Sequence, residues 1–149
     1  MANSTLFMGL VLGGGVVALA LAQWMTIYMA VATVAYLLMV SGLIWRQRRG
    51  LHVALMSMAM FTDLSLVLLL EWQRSAIDQA LSFAMSPLQQ AHIGFSTLAL
   101  LGYFPTLILG VLLYRNPGRR PHLRPWHLRL GVASFAFRSL GFLFMFSLL

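Results

Sequence analysis

The side chains able to do chemistry are few, and their spacing pairs them. The 149-residue chain has four histidines and three acids, and no cysteine. His52, Met56, Met60 and Asp63 recur at offsets of four, eight and eleven, which fall on one helical face. His127, Gly131, Ser134, Arg138 and Met145 also share a face, and again eleven residues separate the histidine from the charged residue. On two helices entering from the same side, His52 and His127 stand at one depth. Asp63 and Arg138 then lie about 16 Å further in, at the rise of a helix.

Two kinds of chemistry follow. Neutral imidazoles on facing helices fit the axial positions of one haem b. Gly131, one turn from His127, leaves room for a porphyrin face, and Arg124 or Arg129 stands where propionates would lie. The alternative is a pair of interfacial histidines bonded to loops or lipid phosphates. For Asp63 and Arg138 the expectation is a structural ion pair, because ionisable groups inside a membrane turn inward and pair. A proton relay, a substrate contact, or pairing of Arg138 with a cofactor carboxylate are the other roles such residues take. The methionine run Met56–Met60 raises copper, since thioethers bind Cu(I). Only Met56 and Met60 face the same way as His52, and methionine is also ordinary filler. His92 lies toward the opposite end of its own segment, too far from His52 and His127 to share their metal. A hydrogen-bonded packing role is expected for it, with a second haem or a quinone as the sharper reading. His122, in a Pro-flanked loop, reads as solvated. Nothing matches a nucleophile–base–acid set, a zinc-protease motif, a Walker loop or paired carboxylates. The expectation is a protein without catalysis of its own.

The elements that position these residues are membrane spans. Apolar residues make up 60% of the chain and charged residues 9%, against about 45–50% and 25% in soluble proteins. So few charges cannot cover a water-soluble surface of this size, and lipid must be the main solvent. Four segments reach the roughly 20 apolar residues that a crossing requires: 25–45, 51–70, 88–114 and 128–149. Trp24, Trp45, Trp72, Tyr114 and Trp126 mark their boundaries, where amphipathic rings prefer to sit. Ser86-Pro87-Leu88-Gln89 reads as an N-cap, a first-turn proline and a capping-box glutamine. The fold class is therefore all-α, an integral membrane bundle of four helices in one domain. An N-terminal fifth hydrophobic helix over 6–22 is also expected. It forms either a separate span with a turn near Gln23, or, after a break at Gly13–Gly15, part of one long tilted helix. Ala20-Leu21-Ala22 resembles a signal-peptidase site, but the stretch before it has no Arg or Lys, so cleavage is not expected.

The net charge of +7 comes with ten basic residues, all Arg. Arg46, Arg48 and Arg49 lie between the first two spans, and Arg115, Arg119, Arg120, Arg124 and Arg129 between the last two. The positive-inside rule makes both loops cytoplasmic and residues 71–86 external, with a short amphipathic helix suggested by Ile77, Leu81 and Met85. Topology accounts for the cations, so nucleic acid is not an expected partner, whereas anionic lipid headgroups are.

Arg-Arg-Gly-Leu-His52-Val-Ala-Leu-Met56 opens one span, His92 and Pro105 lie in the next, and Arg-Pro-Trp-His127-Leu-Arg opens the last. This pattern resembles the YozB/CtaM-like family of small membrane proteins associated with maturation of haem–copper oxidases. In that family a His with a Met four residues on opens one span, another His precedes a mid-span Pro, and a third His opens the last. The resemblance covers roughly residues 23–149 and implies an additional N-terminal span. Carried over position by position, the family's motif residues become His52, Met56, His92, Pro105 and His127; His52, His127, Met56 and His92 form the candidate cofactor-binding set, in which His52 and His127 are the metal ligands that the spacing suggests. The chain departs from the family at Val53, where a basic residue is usual, and in the Ser-Phe-Ala-Phe-Arg138-Ser-Leu stretch. A looser similarity links it to b561-type membrane cytochromes. Two functions are thus expected to compete. One is a haem-handling protein, either a b-type cytochrome or an oxidase assembly factor, in a bacterial inner or plasma membrane. The other is a cofactor-free accessory subunit of a larger respiratory or other membrane complex.

Overall fold

A backbone inside hydrocarbon has no water to bond, so each apolar stretch must satisfy its own N–H and C=O groups as a helix. The computed structural model describes residues 26–75, 77–78, 82, 85–115, 118 and 121–146. They form α1 (Ile27–Ile44), α2 (Arg49–Arg74), α3 (Pro87–Arg115) and α4 (Leu123–Met145). All four are long and apolar enough to cross a membrane, and no strand occurs among the described residues. The protein is an all-α integral membrane bundle. The hydrophobic segment 6–22 lies outside the described residues. Two helices outrun their apolar stretches: α2 continues past Leu70 to Arg74, and α4 begins at Leu123 rather than near Leu128. Helical hydrogen bonding carries on into the headgroup zone, where Glu, Arg and Trp side chains reach water.

The helix starts differ between the two ends of the bundle. Thr26 caps α1, its hydroxyl accepting from the Met29 N–H at 3.3 Å. At the start of α3, Gln89 Oε1 accepts from the Ser86 N–H at 3.0 Å and Ser86 Oγ from the Gln89 N–H at 3.4 Å, a reciprocal capping box. The starts of α2 and α4 have no side-chain cap. At the end of α2, Glu71 accepts from the Ile77 N–H, and in the connection that follows the Ser82 N–H reaches the Asp78 carbonyl. Leu81, expected on a short helix here, is outside the described residues.

The helices run up and down, each beside the next, with α4 closing against α1. Contact is closest within the α1–α2 and α3–α4 hairpins, and α2 and α4 stand on a diagonal. The α3–α4 seam is made of small residues: Gly102 faces Ser134, Gly131 faces Thr106 and Gly141 faces Ser96. Lipid is as apolar as Leu, so close backbone approach and dispersion drive such pairing. The α1–α4 contact is aromatic instead. Tyr36 stacks on Phe142 at 4.3 Å between ring centroids and donates to Ser139 Oγ, whose own proton goes to the Phe135 carbonyl. Met39, Ala59, Met60, Ala99 and Tyr103 fill the centre, and Met29, Ala32 and Met145 a second cluster.

The seam yields a measurable expectation. A Cβ added at Gly102 would collide with the Ser134 hydroxyl, whereas one at Gly94 meets nothing within 4 Å. Gly102→Ala is expected to cost about 1–3 kcal/mol through overpacking. Gly94→Ala should leave thermal unfolding in detergent unchanged or raise its midpoint.

Candidate functional site

Two polar layers cross the interior, and each is built by residues far apart in sequence. The first lies near mid-span. Arg138 and Asp63 are only 5% and 6% exposed. The guanidinium donates from Nε to Asp63 Oδ2 at 2.7 Å and from Nη2 to Oδ1 at 2.8 Å, a two-pronged pairing that fixes both planes. Tyr103 donates its hydroxyl to Asp63 Oδ2 at 2.8 Å, and Arg138 Nη2 also reaches the Ala32 carbonyl at 3.2 Å. All four helices therefore meet here: α1 through a carbonyl, α2 through a carboxylate, α3 through a phenol and α4 through a cation. Because α2 and α4 are diagonal, the ion pair crosses the bundle axis and does not join neighbours. Every oxygen of Asp63 is engaged, which makes the layer a cross-brace.

The second layer lies toward the other termini of these helices. His52 Nδ1 is 2.7 Å from the Gly42 carbonyl, and His127 Nδ1 is 3.1 Å from the Thr106 carbonyl. A carbonyl can only accept, so each Nδ1 carries a proton and donates it. In a neutral imidazole the second nitrogen, Nε2, is then the bare lone pair. Such a bond holds an imidazole ring in one orientation. Small residues line the approach: a Cβ at Gly110 would come within 3.2 Å of His127 Cε1, and one at Gly42 within 2.9 Å of Met56 Sδ. Met56 itself packs against the central cluster.

Thr106 adds an unusual feature. It is 3% exposed, and its Oγ1 is the one buried side-chain oxygen or nitrogen among the described residues without a partner. It sits immediately after Pro105, whose ring removes an N–H from α3.

His92 belongs to neither layer. Its Nδ1 donates to the Gly141 carbonyl at 2.7 Å, on the α3–α4 seam beside Ser96. The structure thus brings Asp63 to Arg138, ties His52 and His127 to separate carbonyls on α1 and α3, and bonds His92 to the α3–α4 seam. Among the described residues no group of three or more His, Asp or Glu could hold a metal ion. Met60 is buried in the central cluster, while Met58 is exposed. Tyr103 and the Ala32 carbonyl were not singled out by residue spacing. Tyr103 did carry a signal, since a tyrosine far from either interfacial belt must find a partner for its hydroxyl.

Compared with protein-family models, curated proteins and solved structures, the chain matches none.

Proposed function

We propose that this is a haem-handling integral membrane protein in which His52 and His127 supply the axial ligands. The observation that carries the reading is the fixed tautomer of both imidazoles, which leaves two Nε2 lone pairs at one end of one bundle. What supports the group is two nitrogen donors on different helices, with an unpartnered Thr106 hydroxyl in the residue whose carbonyl holds His127. Haem, when bound, supplies one-electron chemistry. The chain's contribution is to hold both rings by their Nδ1 bonds, exclude water from the site and keep α2 and α4 in register through the Asp63–Arg138 brace. The role is that of a b-type cytochrome or a maturation factor for haem–copper oxidases, in the plasma membrane of a bacterium. Protein purified in mild detergent and reduced with dithionite should show the sharp visible bands of low-spin, bis-histidine haem b. A colourless protein, with no bands after addition of hemin, refutes the reading.

A second reading is a cofactor-free accessory subunit. An outward groove of about 290 Å³ between α1 and α2, lined by Ile27, Val31, Phe61 and Leu69 among others, favours it. Such a groove has the shape that a neighbouring transmembrane helix fills. The same spectrum separates the two.

Orientation belongs to the proposal as well. With the Arg-rich loops in the cytoplasm, a cysteine at Gln47 should resist impermeant thiol reagents in intact cells, and one at Ser82 should react. The opposite labelling would place the histidine pair at the outer face.

A further inference from the structure

The charges of the bundle are divided between its two ends. The chain has three acids. Asp63 is spent on the central brace, Glu71 lies in the last turn of α2 at its far end, and Asp78 follows that helix. At the opposite end, Arg46, Arg48 and Arg49 precede and begin α2, Arg115 ends α3, and Arg124 and Arg129 lie on the first two turns of α4. All six are exposed, and the surrounding connections contain no acid to pair with them. Arg129 stands over the Trp126 ring, its guanidinium carbon 5.7 Å from the centroid, and Trp126 and Trp45 are both half-exposed there. Indole rings favour the headgroup level, so they place this belt of cations where lipid phosphates lie. The helix starts in the belt, α2 and α4, are the ones without side-chain caps, and no helix has an acid in its first turn. Their free N–H groups add positive potential to that of the Arg side chains. The starts of α1 and α3, at the other face, are closed by Thr26 and by Ser86 with Gln89.

We propose that this end of the bundle binds anionic phospholipids, their phosphates held by Arg46, Arg48 and Arg49 around the start of α2 and by Arg124 and Arg129 around the start of α4. Phospholipid is favoured over nucleic acid because the cations are set at the level of interfacial tryptophans, and no aromatic row stands clear of the bilayer for bases to stack on. The inference is independent of haem.

The test uses the full chain, with Trp24 and Trp72 replaced by Phe, reconstituted with brominated lipids that quench nearby indoles. Brominated phosphatidylglycerol should quench Trp45 and Trp126 more strongly than brominated phosphatidylcholine at equal mole fraction, and added salt should reduce the difference. Arg48→Gln/Arg49→Gln and Arg124→Gln/Arg129→Gln should each weaken the preference, by about fivefold per Arg removed. The matching Arg→Lys variants keep the charge and should retain it, which separates lost binding from lost folding. Equal quenching by the two lipids overturns the proposal, as does an unchanged preference in the Gln variants. Displacement of brominated phosphatidylglycerol by a single-stranded oligonucleotide at matched charge also overturns it, and assigns the surface to nucleic acid.

Discussion

Arg138→Gln should lower the detergent melting temperature sharply, and Asp63→Asn should do the same. Either change leaves one charge buried in low dielectric without its counter-ion, a loss of about 3–5 kcal/mol in soluble proteins. Water defects and snorkelling soften the figure in a membrane. The double variant Asp63→Asn/Arg138→Gln should recover much of the loss, because two amides still hydrogen-bond and no charge is stranded. Tyr103→Phe removes one of the three bonds to Asp63 and should cost about 1.5–3 kcal/mol, the range for a bond to a charged group. Arg138→Lys keeps the charge but cannot span both carboxylate oxygens and the Ala32 carbonyl with a planar fork, so it should rescue only in part. A double-mutant cycle with no coupling energy between Asp63 and Arg138 would mean that the brace does not form.

If the proposed haem is bound, His52→Ala or His127→Ala should each abolish its low-spin spectrum, because either change would remove one of the two proposed nitrogen ligands. His92→Ala should leave the spectrum intact, since its Nδ1 is tied to Gly141 on another part of the seam. Substituting Gln for either ligand offers no imidazole and should behave like Ala. Exogenous imidazole should partly restore the spectrum in the Ala variants if the space vacated is the ligand position. Full haem retention in both His52→Ala and His127→Ala would dismiss the assignment. Thermal stability of the same variants supplies the control, because the central brace is untouched by them.

The brace illustrates what spacing can reveal. A buried charge is expensive enough that its counter-ion can be sought by elimination, and one acid lies mid-span to meet Arg138. The offsets of eleven residues then put His52 and His127 at one level as a by-product. Capping was equally legible, because Ser86 and Gln89 act within one turn and need no tertiary context. The diagonal placement of α2 and α4 was not legible. Helical periodicity tells which face turns inward, not which helix it meets. Backbone acceptors are invisible for a different reason: Gly42, Thr106, Ala32 and Gly141 use their carbonyls, and every residue has one. The partners that fix all three histidine rings therefore left no trace in residue types.

The mid-span brace also sets a sequence of events during synthesis. Asp63 and Tyr103 belong to helices made before α4, so when α3 is complete the carboxylate has its phenol but no cation. An Arg at the centre of a span costs about 2.5–3.5 kcal/mol on membrane-insertion scales, and α4 bears that cost alone until it reaches Asp63. The carboxylate thus works as a receptor for the incoming helix, and the helix as the plug that neutralises it. A nascent bundle stalled before α4 leaves Asp63 inside the bilayer without its counter-ion, bonded by Tyr103 alone.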